Sequence, residues 1–100
     1  MEGRVAFIFD VVGDGQSALE RLKQIEPDLI ICDVYMPVMD GAQFVKHLRV
    51  HNRKTPVIAL SAGGPAARDA ALEAGADVFL DKPLRLHEVL KAAALLLKAD

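Results

Sequence analysis

Three residues with reactive or polar side chains, Asp33, Ser61 and Lys82, each follow a short apolar run of this chain. A carboxylate, a hydroxyl and an ammonium group together could form a site in which the carboxylate, as nucleophile, accepts a phosphoryl group. The ammonium group would offset the charge of the phosphoryl oxygens, and the hydroxyl would donate a hydrogen bond to them. The types and order of these residues therefore predict phosphoryl chemistry centred on Asp33.

Taken singly, each of the three residues is more readily explained as part of a turn or a loop than as part of a site. Their positions in the predicted fold favour the second interpretation. The carboxyl ends of parallel strands meet at one edge of a sheet, where the ligands of open α/β folds bind. Because Asp33, Ser61 and Lys82 follow successive predicted strands, we expect them to converge at that edge.

Strand and helix patterns alternate along the chain in the order βαβαβαβα. The apolar runs predict strands over 5–12, 28–33, 57–60 and 78–80. Apolar residues at helical spacing predict helices over 16–25, 42–51, 65–74 and 85–99. Short apolar strands separated by amphipathic helices favour a doubly wound parallel sheet in a three-layer α/β/α arrangement.

The predicted last helix is the most apolar one, with six residues expected to face inward: Leu86, Val89, Leu90, Ala93, Leu96 and Leu97. Its run of alanines and leucines over 92–97 could also form a contact surface between molecules.

Composition indicates one small domain without an output domain. The 100 residues are 52% hydrophobic, contain no Trp and carry a net charge of −2. The sequence has no cluster of Lys and Arg, so we expect no direct contact with nucleic acid. The single cysteine, Cys32, lies in an apolar run and is expected to be a buried, inert thiol. No signal peptide or membrane span is apparent, so we expect a cytoplasmic protein.

Further motifs surround the three residues: PDLIICDVYMP over 27–37, MDG over 39–41, LSA over 60–62, GAD over 75–77 and KP at 82–83. With these motifs the chain resembles the receiver domain of bacterial two-component response regulators, from about Asp14 to its C-terminus. The resemblance implies a flavodoxin-like fold and a signalling switch, not an enzyme.

By this resemblance Asp33 is the phosphoacceptor, taking a phosphoryl group from a sensor histidine kinase or a phosphotransfer protein. Ser61 matches the switch hydroxyl, Phe79 the switch aromatic residue, and Lys82 the lysine that pairs with the phosphoryl group. The peptide bond before Pro83 is expected to be cis. A downstream protein would read the face formed by the last two helices and the last strand.

The resemblance also implies a Mg²⁺ site. Its protein ligands would be the Asp33 carboxylate, the backbone carbonyl of Tyr35 and an acidic pair at the end of the family's first strand. In this chain Asp10 is the first candidate for that acidic ligand, and Asp14 is the second. Mg²⁺ keeps several waters in its octahedral shell, so the loss of one carboxylate can be tolerated.

The N-terminal part departs from the family pattern, because only one predicted strand precedes the loop 13–15. Residues 4–10 resemble the family's first strand, while residues 9–15 resemble its second strand equally well. Either a strand–helix unit is missing from the pattern, or two strands have become one. Loss of the unit would leave an open strand edge, and we expect a homo-oligomer, with exchange of strands between subunits as one form.

Three functional hypotheses follow from these observations. The first is a phosphoacceptor receiver that acts as a switch. The alternative is a phosphorylation-deficient pseudo-receiver that serves as a protein-interaction module. The third, an unrelated small flavodoxin-like enzyme or nucleotide binder, ranks last, because the loop 13–15 is too short for a glycine-rich phosphate loop.

Overall fold

A computed structural model describes residues 14–34 and 40–98 of the chain. The predicted strand 5–12 with Asp10, and the loop residue Tyr35, lie outside these residues. The elements in chain order are α1 (Gly15–Arg21), β1 (Ile30–Asp33), α2 (Gly41–His51), β2 (Val57–Ser61), α3 (Gly64–Ala74), β3 (Val78–Asp81) and α4 (Leu86–Lys98). The predicted α/β, flavodoxin-like alternation is confirmed.

The three described strands form a parallel sheet in the order β1-β2-β3. Asp33 in β1 lies opposite Leu60 in β2, and Ser61 lies opposite Asp81 in β3. The carboxyl ends of the strands therefore share one edge, as the sequence predicts. Pro56 has no N–H to donate but its carbonyl accepts from Ile30 N at 2.9 Å, and this bond marks the start of the β1–β2 ladder.

The main core lies where helices α1, α2 and α3 pack with the sheet. Helix α2 buries Phe44, Val45 and Leu48 on its inner face. These side chains join Cys32 and Ala59 of the sheet in one apolar cluster. The cluster holds β1 and β2 against α2, and so fixes the strand end that carries Asp33 relative to the helix that follows it.

Two element boundaries differ from the predicted ones by more than one residue. Strand β1 begins at Ile30, not at residue 28, because the ladder to β2 starts there. Helix α1 ends at Arg21, not at residue 25. After Arg21 the chain tightens, with Lys23 N donating to Glu20 O at 3.2 Å and Gln24 N to Arg21 O at 2.9 Å. Such i→i+3 bonds commonly close a helix.

The prediction for the last helix was wrong in part. Val89, Ala93 and Leu96 are half-buried, but Leu86 is 74% exposed and Leu90 is 57% exposed. Leu97, the sixth residue of the predicted inner face, is also exposed. Helical spacing shows which face of a helix is apolar. How much of that face is buried depends on what packs against it. Within 14–34 and 40–98, every helix is too short or too polar to cross a bilayer.

A largely buried arginine, Arg49, links the segments at the amino ends of β2 and β3. The Arg49 side chain, 16% exposed, donates to the carbonyls of Gly75 at 3.0 Å, Asn52 at 3.2 Å and Thr55 at 2.8 Å. It also pairs with Asp77 Oδ2 at 3.0 Å, and the same oxygen accepts from the backbone N–H at the start of β2 at 2.8 Å. The fork of donors in one guanidinium group thus joins α2, the loop before β2 and the loop before β3.

Candidate functional site

Asp33 is the last residue of β1, at the carboxyl edge of the sheet. Its neighbour Val34 extends the ladder by donating to Leu60 O at 2.8 Å, so the backbone around Asp33 is fixed to β2. About one third of the Asp33 side chain is exposed, and its Oδ2 forms an ion pair with Lys82 Nζ. The carboxylate is therefore both held in place and open to solvent.

Lys82 reaches the same edge from the residue after β3. Its backbone N–H donates to Ser61 O at 2.9 Å, which continues the β2–β3 pairing beyond Asp81. Its side chain is 39% exposed and crosses over β2 to pair with the Asp33 carboxylate. The Lys82–Pro83 peptide bond is cis.

Ser61 lies between the strands of Asp33 and Lys82, as the last residue of β2. It is fully buried, and its Oγ accepts a hydrogen bond from Gly63 N at 2.8 Å. The hydroxyl therefore supports the turn from β2 into α3. Ser61 is adjacent to Leu60, the pairing partner of Asp33, so it lies one position beyond the acid at this edge.

Phe79 lies in β3, three residues before Lys82, and pairs with Ala59 of β2. The ring is partly buried and packs against the core shared by the sheet and α1–α3. Phe79 therefore connects the core to the strand that leads to Lys82.

Cys32 precedes Asp33 in β1 and lies buried in the core, as the sequence predicts. Burial, with a smaller contribution from the Asp33 carboxylate, raises the pKa of the Cys32 thiol to about 11. The thiol keeps its proton at neutral pH, so it is a poor nucleophile and a poor metal ligand there. Alternation along the strand thus places an inert apolar thiol beside an ionisable group at the edge.

The chain that leaves the site returns to it at α2. Gly41 N, at the start of this helix, donates to Val34 O at 2.7 Å. Asp40 caps the helix: its side chain accepts from Gln43 N at 2.8 Å, and the Gln43 side chain accepts from Asp40 N at 3.2 Å. This capping box was not predicted, although Asp-x-x-Gln before an apolar run is its signature.

The structure thus brings the side chains of Asp33 and Lys82 into contact, and places Ser61 beside them with its hydroxyl engaged elsewhere. Of the proposed metal ligands, Asp33 and Asp14 are described, whereas Asp10 and the Tyr35 carbonyl lie outside the described residues. Asp14 caps α1, where its side chain accepts from Ser17 N at 2.8 Å. In the part of the chain that the structure describes, no three His, Cys, Asp or Glu side chains are grouped as a metal would require. Asp33 itself offers the hard oxygen donor that Mg²⁺ prefers.

Sequence comparison relates the chain to known proteins. The family model of the response regulator receiver domain matches residues 2–94. The transcriptional regulatory protein PrrA of Mycobacterium leprae is 42% identical over 86 residues, which are 85% of this chain and 37% of that protein. The response regulator MprA of the same organism is 37% identical over 90 residues, 89% of this chain and 40% of that protein. The chain thus spans about two fifths of the length of these relatives.

Solved structures show the same similarity. The receiver domain of Francisella response regulator 1452 superposes with a TM-score of 0.80 at 36% identity, over 89% of this chain and 74% of that one. The receiver domain of a Syntrophus aciditrophicus signal transduction histidine kinase gives 0.80 at 37% identity, over 87% and 68%. That of the sensor histidine kinase PA1611 from Pseudomonas aeruginosa, solved with magnesium in its active site cleft, gives 0.81 at 28% identity, over 88% and 75%.

Fold, strand-edge geometry, family model and relatives agree, and the chain belongs to the response regulator receiver domains, the signalling switches of two-component systems.

Proposed function

We propose that this chain is a receiver domain that takes a phosphoryl group on Asp33 from a phosphohistidine of a sensor histidine kinase or a phosphotransfer protein. The observation that carries the proposal is the ion pair between Asp33 Oδ2 and Lys82 Nζ at the carboxyl edge of the sheet. A nucleophilic carboxylate needs access to its donor, and a third of the Asp33 side chain is exposed. The ammonium group of Lys82 lies beside this carboxylate, where it would offset the negative charge of an incoming phosphoryl group.

In the proposed transfer, a carboxylate oxygen of Asp33 attacks the phosphorus atom. A P–O bond forms, the P–N bond to the donor imidazole breaks, and the imidazole leaves with its electron pair and takes up a proton from solvent. Lys82 then exchanges its contact with the carboxylate for one with a phosphoryl oxygen. Its ammonium group offsets negative charge on both sides of the reaction, so the carboxylate need not meet the anionic donor unscreened.

The proposed cofactor is Mg²⁺, held beside Asp33 by that carboxylate, with the Tyr35 carbonyl and Asp10 as the ligands that the sequence suggests. When bound, the ion would screen the repulsion between the donor phosphoryl group and the carboxylate. Support comes from the oxygen donor that Asp33 presents at this edge, and from the magnesium in the related PA1611 receiver domain.

The proposed switch acts through Ser61 and Phe79. The Ser61 Oγ now accepts from Gly63 N at 2.8 Å, and in the proposed switch the hydroxyl rotates away from this partner to donate its proton to a phosphoryl oxygen. Losing a hydrogen bond of this kind costs about 1 kcal/mol, which a charged phosphoryl acceptor can offset. Phe79 adjusts within the core, and the face of α3, β3 and α4 changes for a downstream protein to read.

We also propose that the domain forms a homo-oligomer. The proposal rests on the sequence pattern, because loss of a strand–helix unit from the family pattern would leave an open strand edge. Size-exclusion chromatography with light scattering tests this directly. A monomer at all concentrations would contradict it.

The test of phosphorylation uses the full chain with Mg²⁺ and acetyl phosphate, followed by intact mass spectrometry. We expect the mass to increase by one phosphoryl group that is lost in alkali and with hydroxylamine, as an acyl phosphate is. Asp33→Asn should abolish the addition. The matched control is Asp69→Asn, which changes an exposed acid of α3 and should leave the addition intact.

A wild-type chain that is not phosphorylated, or one labelled equally in Asp33→Asn, would contradict the proposal. The first of these results would favour the alternative of a phosphorylation-deficient pseudo-receiver that acts as an interaction module. A pull-down with a candidate partner before and after phosphodonor treatment then separates a switch from a constitutive module, because only the switch changes its binding.

A further inference from the structure

The start of α2 comes unusually close to the backbone of Asp33. Gly41, the first residue of the helix, is buried. A Cβ atom at this position would lie 2.5 Å from the Asp33 carbonyl oxygen and 2.7 Å from Val34 Cα. Both distances are far inside van der Waals contact, and both partners are backbone atoms. No change of side-chain rotamer can therefore relieve the overlap.

The requirement is for space and not for an unusual backbone conformation. Gly41 lies in an α-helix, and it is not among the glycines with positive φ in the described residues, which are Gly64 and Gly75. Alanine is favoured over glycine by about 1 kcal/mol in a helix interior, and the helical backbone of Gly41, the first residue of α2, gives no reason for a glycine. The contact with Asp33 is what excludes a side chain at this position.

Both sides of this contact are anchored. On the helix side, the capping box of Asp40 fixes the first turn, and the buried Phe44 and Val45 hold the helix to the core. On the strand side, Val34 N donates to Leu60 O at 2.8 Å, and Gly41 N donates to Val34 O at 2.7 Å. A side chain at residue 41 must therefore displace one of two fixed backbones, and the strand end that bears the acid is one of them.

We propose that Gly41 is a positioning residue: the absence of a side chain there sets the separation of α2 from β1, and so holds the Asp33 carboxylate opposite Lys82. As a statement about phosphoryl transfer, this inference rests on the proposed function. As a statement about geometry, it rests only on the contacts of the described residues.

The test compares Gly41→Ala and Gly41→Ser with Val45→Ala. The control deletes a fully buried side chain from the same helix, and so lowers stability without adding an atom next to Asp33. All variants are studied under conditions in which circular dichroism shows them folded, with trimethylamine N-oxide added equally where needed. We expect both Gly41 variants to lose at least tenfold in the initial rate of phosphorylation by acetyl phosphate, and Val45→Ala to stay within twofold of wild type.

The two Gly41 variants should behave alike, because the first side-chain atom already causes the overlap. A wild-type rate in Gly41→Ala would overturn the proposal, and so would an equal loss in Val45→Ala. Failure of Gly41→Ala to fold where Val45→Ala folds would also overturn it, since Gly41 would then be required for folding and not for positioning.

A second measurement keeps this test separate from that of the proposed function. The ¹³Cε resonance of Lys82, assigned with Lys82→Arg, reports on the Asp33–Lys82 contact without any phosphodonor. We expect it to shift in Gly41→Ala toward its position in Asp33→Asn, and to stay at the wild-type position in Val45→Ala. If the wild type is never phosphorylated, the proposed function fails while this shift still tests the geometry. An unshifted resonance in Gly41→Ala would overturn the positioning role.

Discussion

At the scale of single residues, two neighbours in β1 show how position in a strand decides chemistry. Cys32 is buried in the core and Asp33 is one third exposed at the edge of the sheet. The same backbone carries both, and only the alternation of side chains separates them. Burial suppresses ionisation of the thiol, while the carboxylate is partly exposed and paired with Lys82.

The raised pKa of Cys32 predicts a fall in stability in alkali. From about pH 9 the thiol of the unfolded chain ionises, whereas the folded thiol keeps its proton until about pH 11. Between these values the unfolded state gains free energy that the folded state does not, so the free energy of unfolding decreases as the pH rises. A two-unit shift corresponds to at most about 2–3 kcal/mol at pH 11. Urea titrations at several pH values should show a shallower decline for Cys32→Ala than for the wild type.

The same pKa predicts slow alkylation of the native thiol by iodoacetamide at pH 8, and fast alkylation in urea. Asp33→Asn should accelerate the native reaction only modestly, because burial is the larger cause of the shift. Rapid alkylation of the folded wild type would contradict the burial of Cys32.

Lys82 is expected to matter for function and little for stability. Ion pairs as exposed as that of Lys82 and Asp33 contribute roughly 0–1 kcal/mol. Lys82→Met should therefore change the free energy of unfolding by less than about 1 kcal/mol, while it lowers the rate of phosphorylation at least tenfold. Lys91→Met, which changes an exposed lysine of α4, is the control and should alter neither quantity.

At the scale of elements, the amino end of α2 packs directly against the strand end that carries Asp33. The helix begins with a reciprocal capping box, Gly41 N donates to Val34 O, and the apolar face of the helix is buried in the core. Local sequence and tertiary packing therefore agree on where this helix starts.

The capping box predicts a graded effect of substitutions at Asp40. Asp40→Ala removes the acceptor for Gln43 N and should lower the free energy of unfolding by about 1 kcal/mol. Asp40→Asn keeps an acceptor oxygen and should lose only a fraction of that. Chemical denaturation of the three proteins gives the comparison, and equal stabilities for Asp40→Ala and the wild type would argue against the cap.

The elements also show how far sequence reasoning reaches. Alternating patterns predicted the seven described elements, because strand and helix periods differ and glycine and proline separate them. Polar residues at the strand ends predicted that Asp33 and Lys82 would lie close together, since the carboxyl ends of parallel strands meet on one side of the sheet. The exposure of Leu86 and Leu90 could not be predicted, because periodicity does not say what covers a face. The closeness of Gly41 to Asp33 could not be predicted either, because it depends on the angle at which α2 packs against the sheet.

At the scale of the whole molecule, the carboxyl and amino ends of the strands hold separate groups of polar contacts. The carboxyl edge holds Asp33, Ser61 and Lys82, while the opposite edge holds the network of Arg49 and Asp77. The sequence alone predicts no role for Asp77, which lies in the GAD motif over 75–77. Its carboxylate pairs with Arg49 and accepts from Val57 N, so it fixes the start of β2.

This separation predicts that the two edges can be altered independently. Asp77→Ala leaves Arg49 with one partner fewer and Val57 N without its acceptor, and should lower the free energy of unfolding by about 2 kcal/mol. Asp77→Asn, which keeps one acceptor oxygen, should lose less. Among folded molecules the rate of phosphorylation should match the wild type in both variants, as kinetics corrected for the folded fraction will show. A large loss of rate in the folded fraction would mean that the edges are coupled.

The strands pair in the order in which they occur along the chain, and this has a consequence for how the domain folds. Ile30 meets Val57 across one helix and its loops, and Ile58 meets Val78 across the next. Each step closes a segment of some 20–27 residues, so the entropy of chain closure stays small at every stage. Parallel pairing is slower than hairpin formation, but each step here needs only one crossover. We therefore expect β1–α2–β2 to form first, and α3 and β3 to add to it in sequence as the chain emerges from the ribosome.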